Sequence, residues 1–250
     1  MSLLQHHPPL SRERIAQHLT TIRAATQVSP SFTSLSPDDL AAWFENYDQL
    51  FFAGRVRQML RTCKATLTFA VSTRLTRSGG VTKQVRPRGV RPRPLLVGAS
   101  YQISLSQYLL QGSFNDITRK VVVNGLECVD RLDAALRIFE HELLHLIEML
   151  EAGSSSCDAA PFKQAALAVF GHTHTRHDLV TQRERAKEVY ALRIGDYVRF
   201  TLEGRDRVGL LNRITKRATV LVEDPHGEPY RDGKRYLKFY VPLASLKREA

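Results

Sequence analysis

The segment His141–His145, with the sequence His-Glu-Leu-Leu-His, combines residue types that can carry out metal-assisted hydrolysis. On an α-helix, residues four apart lie one above the other on the same face, so the imidazoles of His141 and His145 can converge on one cation. Glu142 falls beside this pair. Zinc held by two histidines and a third ligand keeps a position open for water, and an adjacent carboxylate can accept that water's proton as it attacks a carbonyl. The pattern therefore predicts a zinc site with Glu142 as general base.

The flanking sequence favours a helix for this segment. Residues 131–140 and 146–152 are strong helix formers without Gly or Pro, and Gly153 follows as a stop signal. We predict a helix over about residues 130–152. The alternative is a buried helix whose two histidines only hydrogen-bond to neighbours, but such burial would be costly without a purpose. Apolar residues at steps of three and four indicate a stripe buried in the core: Leu136, Phe139, Leu143, Leu146, Ile147 and Leu150.

Length and composition indicate a chain that folds without cross-links. It has 250 residues, of which 43% are hydrophobic, enough for a large core. Cys63, Cys128 and Cys157 are an odd, scattered set without a Cys-x-x-Cys pair, which argues against a disulfide framework and fits a reducing compartment. No signal peptide or membrane-spanning stretch is recognisable, so we expect a cytoplasmic protein.

The formal net charge of +11 suggests a polyanionic partner, with nucleic acid as the leading candidate. A generally basic surface that serves solubility is the alternative. The segment Arg74–Arg93 is rich in Lys and Arg, contains no acid, and carries Gly and Pro spaced so that we expect no regular element there. We predict sequence-independent DNA contacts from four of its residues: Arg86, Arg88, Arg91 and Arg93.

Composition shifts along the chain predict three parts. Residues 1–36 are polar, with a helical piece around Ser11–Ala25 and a linker-like ending at Ser29–Pro37. Residues 37–190 open with a helix start at Ser36 and Pro37, which supply a cap and a first-turn proline. The aromatic stripe of that helix indicates a core element. Short strands are predicted at Ala65–Thr73, Tyr101–Leu105 and Val121–Val123.

Residues 192–250 form a third part with a different composition. Five β-rich runs separated by turn residues predict a small barrel of SH3-like type. The runs are Asp196–Leu202, Arg207–Thr215, Ala218–Glu223, Arg235–Val241 and Leu243–Leu246. In the fourth run, alternation directs Leu237, Phe239 and Val241 inward, and Tyr236, Lys238 and Tyr240 outward beside Lys234. This row could stack bases and neutralise phosphates, or it could pack on the preceding domain.

In this order, the elements resemble the SprT-like zinc metallopeptidases, the Spartan-related family. The segment Tyr47–Val56 is similar to that family's N-x-x-Y-F-x-G-x-L element, Tyr101–Ser106 to its strand before the metal helix, and His141–His145 to its H-E-x-x-H. The resemblance covers about residues 40–179. It implies an α+β fold: a zincin-like metallopeptidase domain of helices plus a small sheet, here followed by the SH3-like barrel.

The resemblance also implies a third zinc ligand, but this chain departs from the family at that position. The family uses a histidine in an H-G-x-x-aromatic segment, and aligning the aromatic residue with Phe162 places Asp158 where that histidine stands. Asp158 can ligate zinc through oxygen, or it can serve only as a helix cap. Cys157 and His172 are the rival ligands.

Two functional classes follow. The first is a zinc-dependent metalloendopeptidase acting on proteins associated with nucleic acid, with Zn²⁺ on His141, His145 and Asp158, and Glu142 as the base. The second is a catalytically inactive nucleic-acid- or protein-binding module that keeps the peptidase scaffold.

Overall fold

The fold is known from a computed structural model, which describes residues 2–85 and 97–249. It is of the α+β class. The described residues fall into two compact units: those within Met1–Phe114 and Arg119–Leu179 form the first, and those within Asn115–Thr118 and Val180–Ala250 form the second. The chain therefore changes unit near Leu179, earlier than the composition shift at residue 192 predicts.

The polar N-terminal segment belongs to the core of the first unit. Helix α1, Arg12–Ala25, begins at the cap Ser11 and buries one face. Phe32 and Leu35 are also buried, and the Arg131 guanidinium donates to the carbonyl of Phe32 at 2.8 Å. The predicted helical piece at Ser11–Ala25 is confirmed, but the prediction that residues 1–36 form a part of their own with a linker-like ending was wrong. Apolar residues spaced through this polar sequence supply a buried stripe: Ile15, Leu19 and Ile22.

Two further helices follow. Helix α2, Pro37–Phe52, starts with a reciprocal capping box between Ser36 and Asp39, as the sequence predicted for its cap and first-turn proline. Its buried face carries Leu40, Trp43, Phe44, Tyr47, Phe51 and Phe52. Helix α3, Arg55–Thr62, follows closely, and the buried Asp48 carboxylate accepts hydrogen bonds from two backbone N–H groups of its first turn, those of Val56 and Arg57.

A three-stranded sheet lies against helix α2. Strand β1, Thr66–Ser72, runs parallel to β3, Ser100–Ser106, and β2, Gly80–Val85, is antiparallel to β3 on its other side. Strand β2 lies inside the basic segment that was expected to contain no regular element, so that expectation was wrong. The alternation of Val81, Lys83 and Val85 with Thr82 suits an edge strand, and pairing with β3 outweighs the nearby glycines.

The remaining elements of the first unit are short except for two. Helix α4 spans Gln107–Gly112, and a hairpin pairs β4, Val121–Val123, with β5, Leu126–Cys128. Helix α5, Arg131–Ala152, is capped by Asp130 and ends at Gly153 in the left-handed region, which confirms the predicted helix. Helix α6, Ala160–Phe170, follows a turn.

The second unit contains helix α7, Gln182–Glu188, and a five-stranded antiparallel sheet. Four of the five predicted runs are strands. The fifth is a 3₁₀ turn at Leu243–Ser245, because Pro242 precedes it and removes a ladder donor. The strands are β6 Tyr197–Leu202, β7 Arg205–Ile214, β8 Ala218–Pro229, β9 Arg235–Val241 and β10 Lys247–Arg248. Their order in the sheet is β10-β6-β7-β8-β9.

Candidate metal centre

Helix α5 brings the two predicted histidines together. The Nε2 atoms of His141 and His145 lie 3.1 Å apart, and the rings meet edge to face with centroids 4.7 Å apart. The turn between α5 and α6 adds Cys157, and one ligand atom from each of the three residues lies within 4.8 Å of the others. The result is a convergent set of two imidazole nitrogens and one sulfur.

Asp158, the ligand that the sequence alignment favoured, lies outside this set. Its side chain is exposed and lines a separate hollow with Lys163 and His172. Its neighbour Cys157 faces the two histidines, whereas Asp158 faces this other hollow. Asp158 does not cap α6 either, since Ala159 is the N-cap residue and no side-chain cap bond is formed there.

His172, the other rival ligand, is committed elsewhere. It is buried, and its Nε2 lies 2.7 Å from the carboxylate of Glu140. The same carboxylate accepts a hydrogen bond of 2.9 Å from the Tyr47 hydroxyl. Glu140 is fully buried and precedes His141 on α5, so this network links the histidine helix to α2 and to the segment after α6.

Burial keeps the two histidines of the cluster neutral. Desolvation, together with the neighbouring His145, lowers the pKa of His141 to about 3, and desolvation lowers the pKa of His145 to about 4. Both rings pack against the buried Phe162, with centroids 5.0 and 4.6 Å from its ring. Neutral imidazoles at physiological pH have a nitrogen lone pair available for a cation.

A serine and a glutamate determine which nitrogen of His145 carries the proton. The Ser155 hydroxyl donates to the Glu148 carboxylate, so its oxygen accepts from the Nδ1–H of His145 at 2.6 Å. The Nε2 lone pair of His145 then points towards His141 and Cys157. Hydrogen bonds of this kind orient imidazole ligands in metal sites.

Glu142 is held as a buried carboxyl group on the same cleft. It is 5% exposed, and burial raises its pKa to about 7, against a smaller lowering by the hydrogen bond from Thr82. A β-carbon at Gly80 would lie 2.7 Å from Cγ of Glu142, so only glycine fits against this side chain. Sequence reasoning missed Thr82 and Gly80, because strand β2 that carries them was not predicted.

The cluster opens into a cleft of about 530 Å³. Its walls are α5, the segment Arg77–Thr82 and the segment Thr175–His177. The backbone N–H of Gly79 donates to Nε2 of His177 at 2.7 Å, which joins the last two segments. The cleft therefore combines the three convergent donors with a carboxyl group of raised pKa.

The predicted nucleic-acid contacts have mixed outcomes. Arg86, Arg88, Arg91 and Arg93 lie outside the described residues. Tyr236 was expected to face outward but is 7% exposed, because it packs edge to face on Tyr230 and its hydroxyl donates to Asp232. Two lysines are exposed but ion-paired: Lys234 with Glu223 at 2.7 Å and Lys238 with Glu228 at 2.5 Å. Tyr240 faces solvent as predicted.

Comparison of the chain with protein-family models, with curated proteins and with solved structures found no match. Within the described residues, no helix has both the length and the apolar character needed to cross a membrane. All three cysteines are free thiols.

Proposed function

We propose that this chain is a zinc-dependent metalloendopeptidase of SprT-like type, with His141, His145 and Cys157 as the metal ligands and Glu142 as the general base. One observation carries the proposal. The ligand atoms of the three residues lie within 4.8 Å of one another, and Glu142 lines the same cleft. Relative to the sequence-based assignment, Cys157 replaces Asp158.

The donor set suits zinc. Catalytic zinc sites use three protein ligands drawn from His, Cys and carboxylates, and histidine with cysteine is one of the known combinations. The imidazoles are neutral, and the Ser155–Glu148 pair directs the His145 lone pair to the cluster. When bound, zinc would supply Lewis acidity, which activates water and polarises a carbonyl group.

Glu142 suits the transfer of a proton. A base with a pKa near neutrality is ionised often enough to accept a proton and acidic enough afterwards to release it to a leaving amine. Thr82 restrains the carboxylate through its hydroxyl, and Gly80 allows close approach of the β2 backbone. Strand β2 lies at one end of the sheet order and lines the cleft, where an extended peptide could pair with it.

The finer fold assignments belong to the same proposal. A zincin-like first unit is supported by the histidine helix α5, which packs against β2 and β3. An SH3-like second unit is supported by the five-stranded antiparallel sheet and its apolar core, which includes Val198, Phe200 and Val220. Proteins associated with nucleic acid are the proposed substrates, on the basis of the net charge of +11.

The decisive experiment compares the wild type with Glu142→Gln and with the control Glu45→Gln, an exposed glutamate on α2. Each purified protein is analysed for zinc and assayed for cleavage of an unfolded basic protein, with and without DNA. We expect about one zinc per chain in all three and cleavage by the wild type and control only, because an amide cannot accept the proton.

The other outcomes are informative. Equal cleavage by Glu142→Gln would exclude Glu142 as the base. Stoichiometric zinc without cleavage by any form would favour the binding-module alternative. If the wild type held no zinc even after reconstitution with excess metal, the proposed metal site would be excluded.

A further inference from the structure

Two arginines line the cleft from two different segments of the chain. Arg77 lies on the segment between β1 and β2, and Arg176 lies on the segment after α6. Both are exposed. Among residues 2–85 and 97–249, no acidic group forms an ion pair with either guanidinium.

The backbone that carries these arginines is fixed. The hydrogen bond from Gly79 N–H to His177 Nε2 ties a residue two positions after Arg77 to the residue that follows Arg176. The carbonyl of Arg176 accepts from the backbone N–H of Asn124 at 2.8 Å, and His177 forms an isolated bridge with Val123. Hydrogen bonds therefore fix the backbone positions of Arg77 and Arg176 at the cleft.

The rest of the cleft does not balance their charge. Glu142 is the one acidic residue among the described lining residues, and it is buried against Thr82. A cleft lined by charge of one sign concentrates its field on a ligand of the opposite sign.

We propose that Arg77 and Arg176 select peptides that carry a carboxylate close to the bond that is cleaved. The inference rests on the proposed peptidase function, since the arginines border the cleft that holds the cluster and Glu142. A guanidinium offers a planar fork of N–H donors that matches a carboxylate. The carboxylate can come from an Asp or Glu side chain or from the C-terminus of the peptide.

The test uses matched peptides that differ only in Glu, Gln or Lys beside the cleaved bond, each with a free or an amidated C-terminus. Zinc-loaded wild type should cleave the Glu peptide about tenfold faster than the Gln peptide in kcat/KM, as two exposed charge pairs allow. Arg77→Gln with Arg176→Gln should abolish the preference, and Arg77→Glu with Arg176→Glu should favour the Lys peptide. Arg61→Gln, an exposed arginine on α3 away from the cleft, is the control.

The two peptide ends separate the sources of the carboxylate. If the preference follows Glu against Gln in amidated peptides, the side chain is recognised. If it disappears on amidation whatever the internal residue, the C-terminal carboxylate is recognised.

A binding measurement keeps this inference separate from the proposed function. Fluorescence anisotropy of the same labelled peptides with Glu142→Gln reports recognition without turnover. If the Glu peptide binds more tightly than the Gln peptide, and the variant with Arg77→Gln and Arg176→Gln loses this difference, the inference is supported even if the wild type cleaves nothing. Equal affinities for Glu, Gln and Lys peptides would overturn it, whether or not cleavage occurs. It would also be overturned if the double variant lost affinity for a short DNA duplex while its peptide binding stayed unchanged, because the arginines would then contact phosphates.

Discussion

The hydroxyl of Thr82 lies 2.8 Å from the Glu142 carboxylate and 2.8 Å from the backbone carbonyl of the same residue. It connects strand β2 to the second residue of the His-Glu-Leu-Leu-His segment. Since both residues are buried, this contact is shielded from water and holds the proposed base in one position.

Replacing Thr82 by Val should impair the base without removing the metal ligands. The hydrogen bond from the Thr82 hydroxyl lowers the pKa of Glu142. Its loss leaves only the Thr82 backbone hydrogen bond to oppose desolvation, and moves that pKa further above its ordinary value. A base must be deprotonated to act, so the cleavage rate of Thr82→Val should require a higher pH than that of the wild type. The pH dependence of cleavage measures this. Thr82→Ser keeps the hydroxyl and should behave like the wild type; an unshifted profile for Thr82→Val would argue against control of Glu142 by this contact.

Ser155→Ala should weaken zinc binding although Ser155 is not a proposed ligand. The change removes the acceptor for His145 Nδ1–H and the link to Glu148, and loss of such an orienting partner costs about 10- to 100-fold in metal affinity. Competition with a chelator measures the affinity. Ser156→Ala, an exposed neighbour in the same turn, is the matched control and should bind zinc as the wild type does. Equal affinities for the two variants would show that the hydrogen bond does not orient the ligand.

The identity of the third ligand can be decided with two neighbouring residues. Cys157→Ser should bind zinc much more weakly than the wild type, because a serine hydroxyl is a poor replacement for a thiolate. Asp158→Asn should have little effect, since its side chain is exposed and faces another hollow. The reverse result would restore the sequence-based assignment. Alkylation gives an independent readout: zinc should protect Cys157 and leave the half-buried Cys63, distant in the sequence from the cluster, unprotected.

Helix α5 could be predicted from the sequence because its signals are local. Asp130 caps it, Gly153 ends it, and the apolar residues between them follow the helical period. The convergence of His141 and His145 follows from that helix alone. Strand β2 forms because it pairs with β3, which is distant in the sequence. The glycines and arginines around β2 are local signals against a strand, so no short window of sequence could reveal it.

The surroundings of two side chains could not be predicted from the sequence either. Cys157 and Asp158 are adjacent in a turn, and the backbone angles of that turn determine which one faces the histidines. Tyr236 is buried although the alternation places it on the outward face, because its ring packs on Tyr230 and its hydroxyl donates to Asp232. In both cases tertiary geometry decides between residues that the sequence leaves equivalent.

His177 should make the stability of the metal-free protein depend on pH. Burial lowers its pKa below 6.5, an effect larger than the opposing influence of Asp178, and the neutral ring accepts the Gly79 N–H. In the unfolded chain the ring binds a proton more readily. The contribution of His177 to stability is therefore present above pH 6.5 and is lost as the pH falls towards the folded pKa. The free energy of unfolding should fall by at most about 1.4 kcal/mol per pH unit on this account. Urea unfolding with chelator at several pH values measures the loss.

The variant His177→Gln should reduce this loss, because its amide oxygen can still accept from Gly79 but does not titrate. His174→Gln, an exposed histidine of the same segment, should leave the pH dependence unchanged. If His177→Gln and the wild type lost stability in parallel below pH 6.5, another group would be responsible.

The sheet of the second unit allows a sharp test of DNA binding. Lys234 and Lys238 are exposed, but Glu223 and Glu228 are ion-paired with them and compete with phosphates. If this surface binds DNA, Glu223→Gln with Glu228→Gln should raise the affinity and steepen its salt dependence, since each additional phosphate contact adds about 0.9 to the slope of log affinity against log salt. Anisotropy titrations of single- and double-stranded DNA at several salt concentrations measure both quantities. Glu188→Gln, an exposed glutamate paired with Lys187 on α7, is the control.

Tyr240→Ala should weaken single-strand binding through lost stacking, whereas Tyr236→Phe should not, because that ring is buried. If the variant with Glu223→Gln and Glu228→Gln bound DNA with unchanged affinity, the nucleic-acid contacts would lie elsewhere in the chain. If the wild type did not bind DNA detectably even at low salt, the net charge of +11 would serve solubility instead.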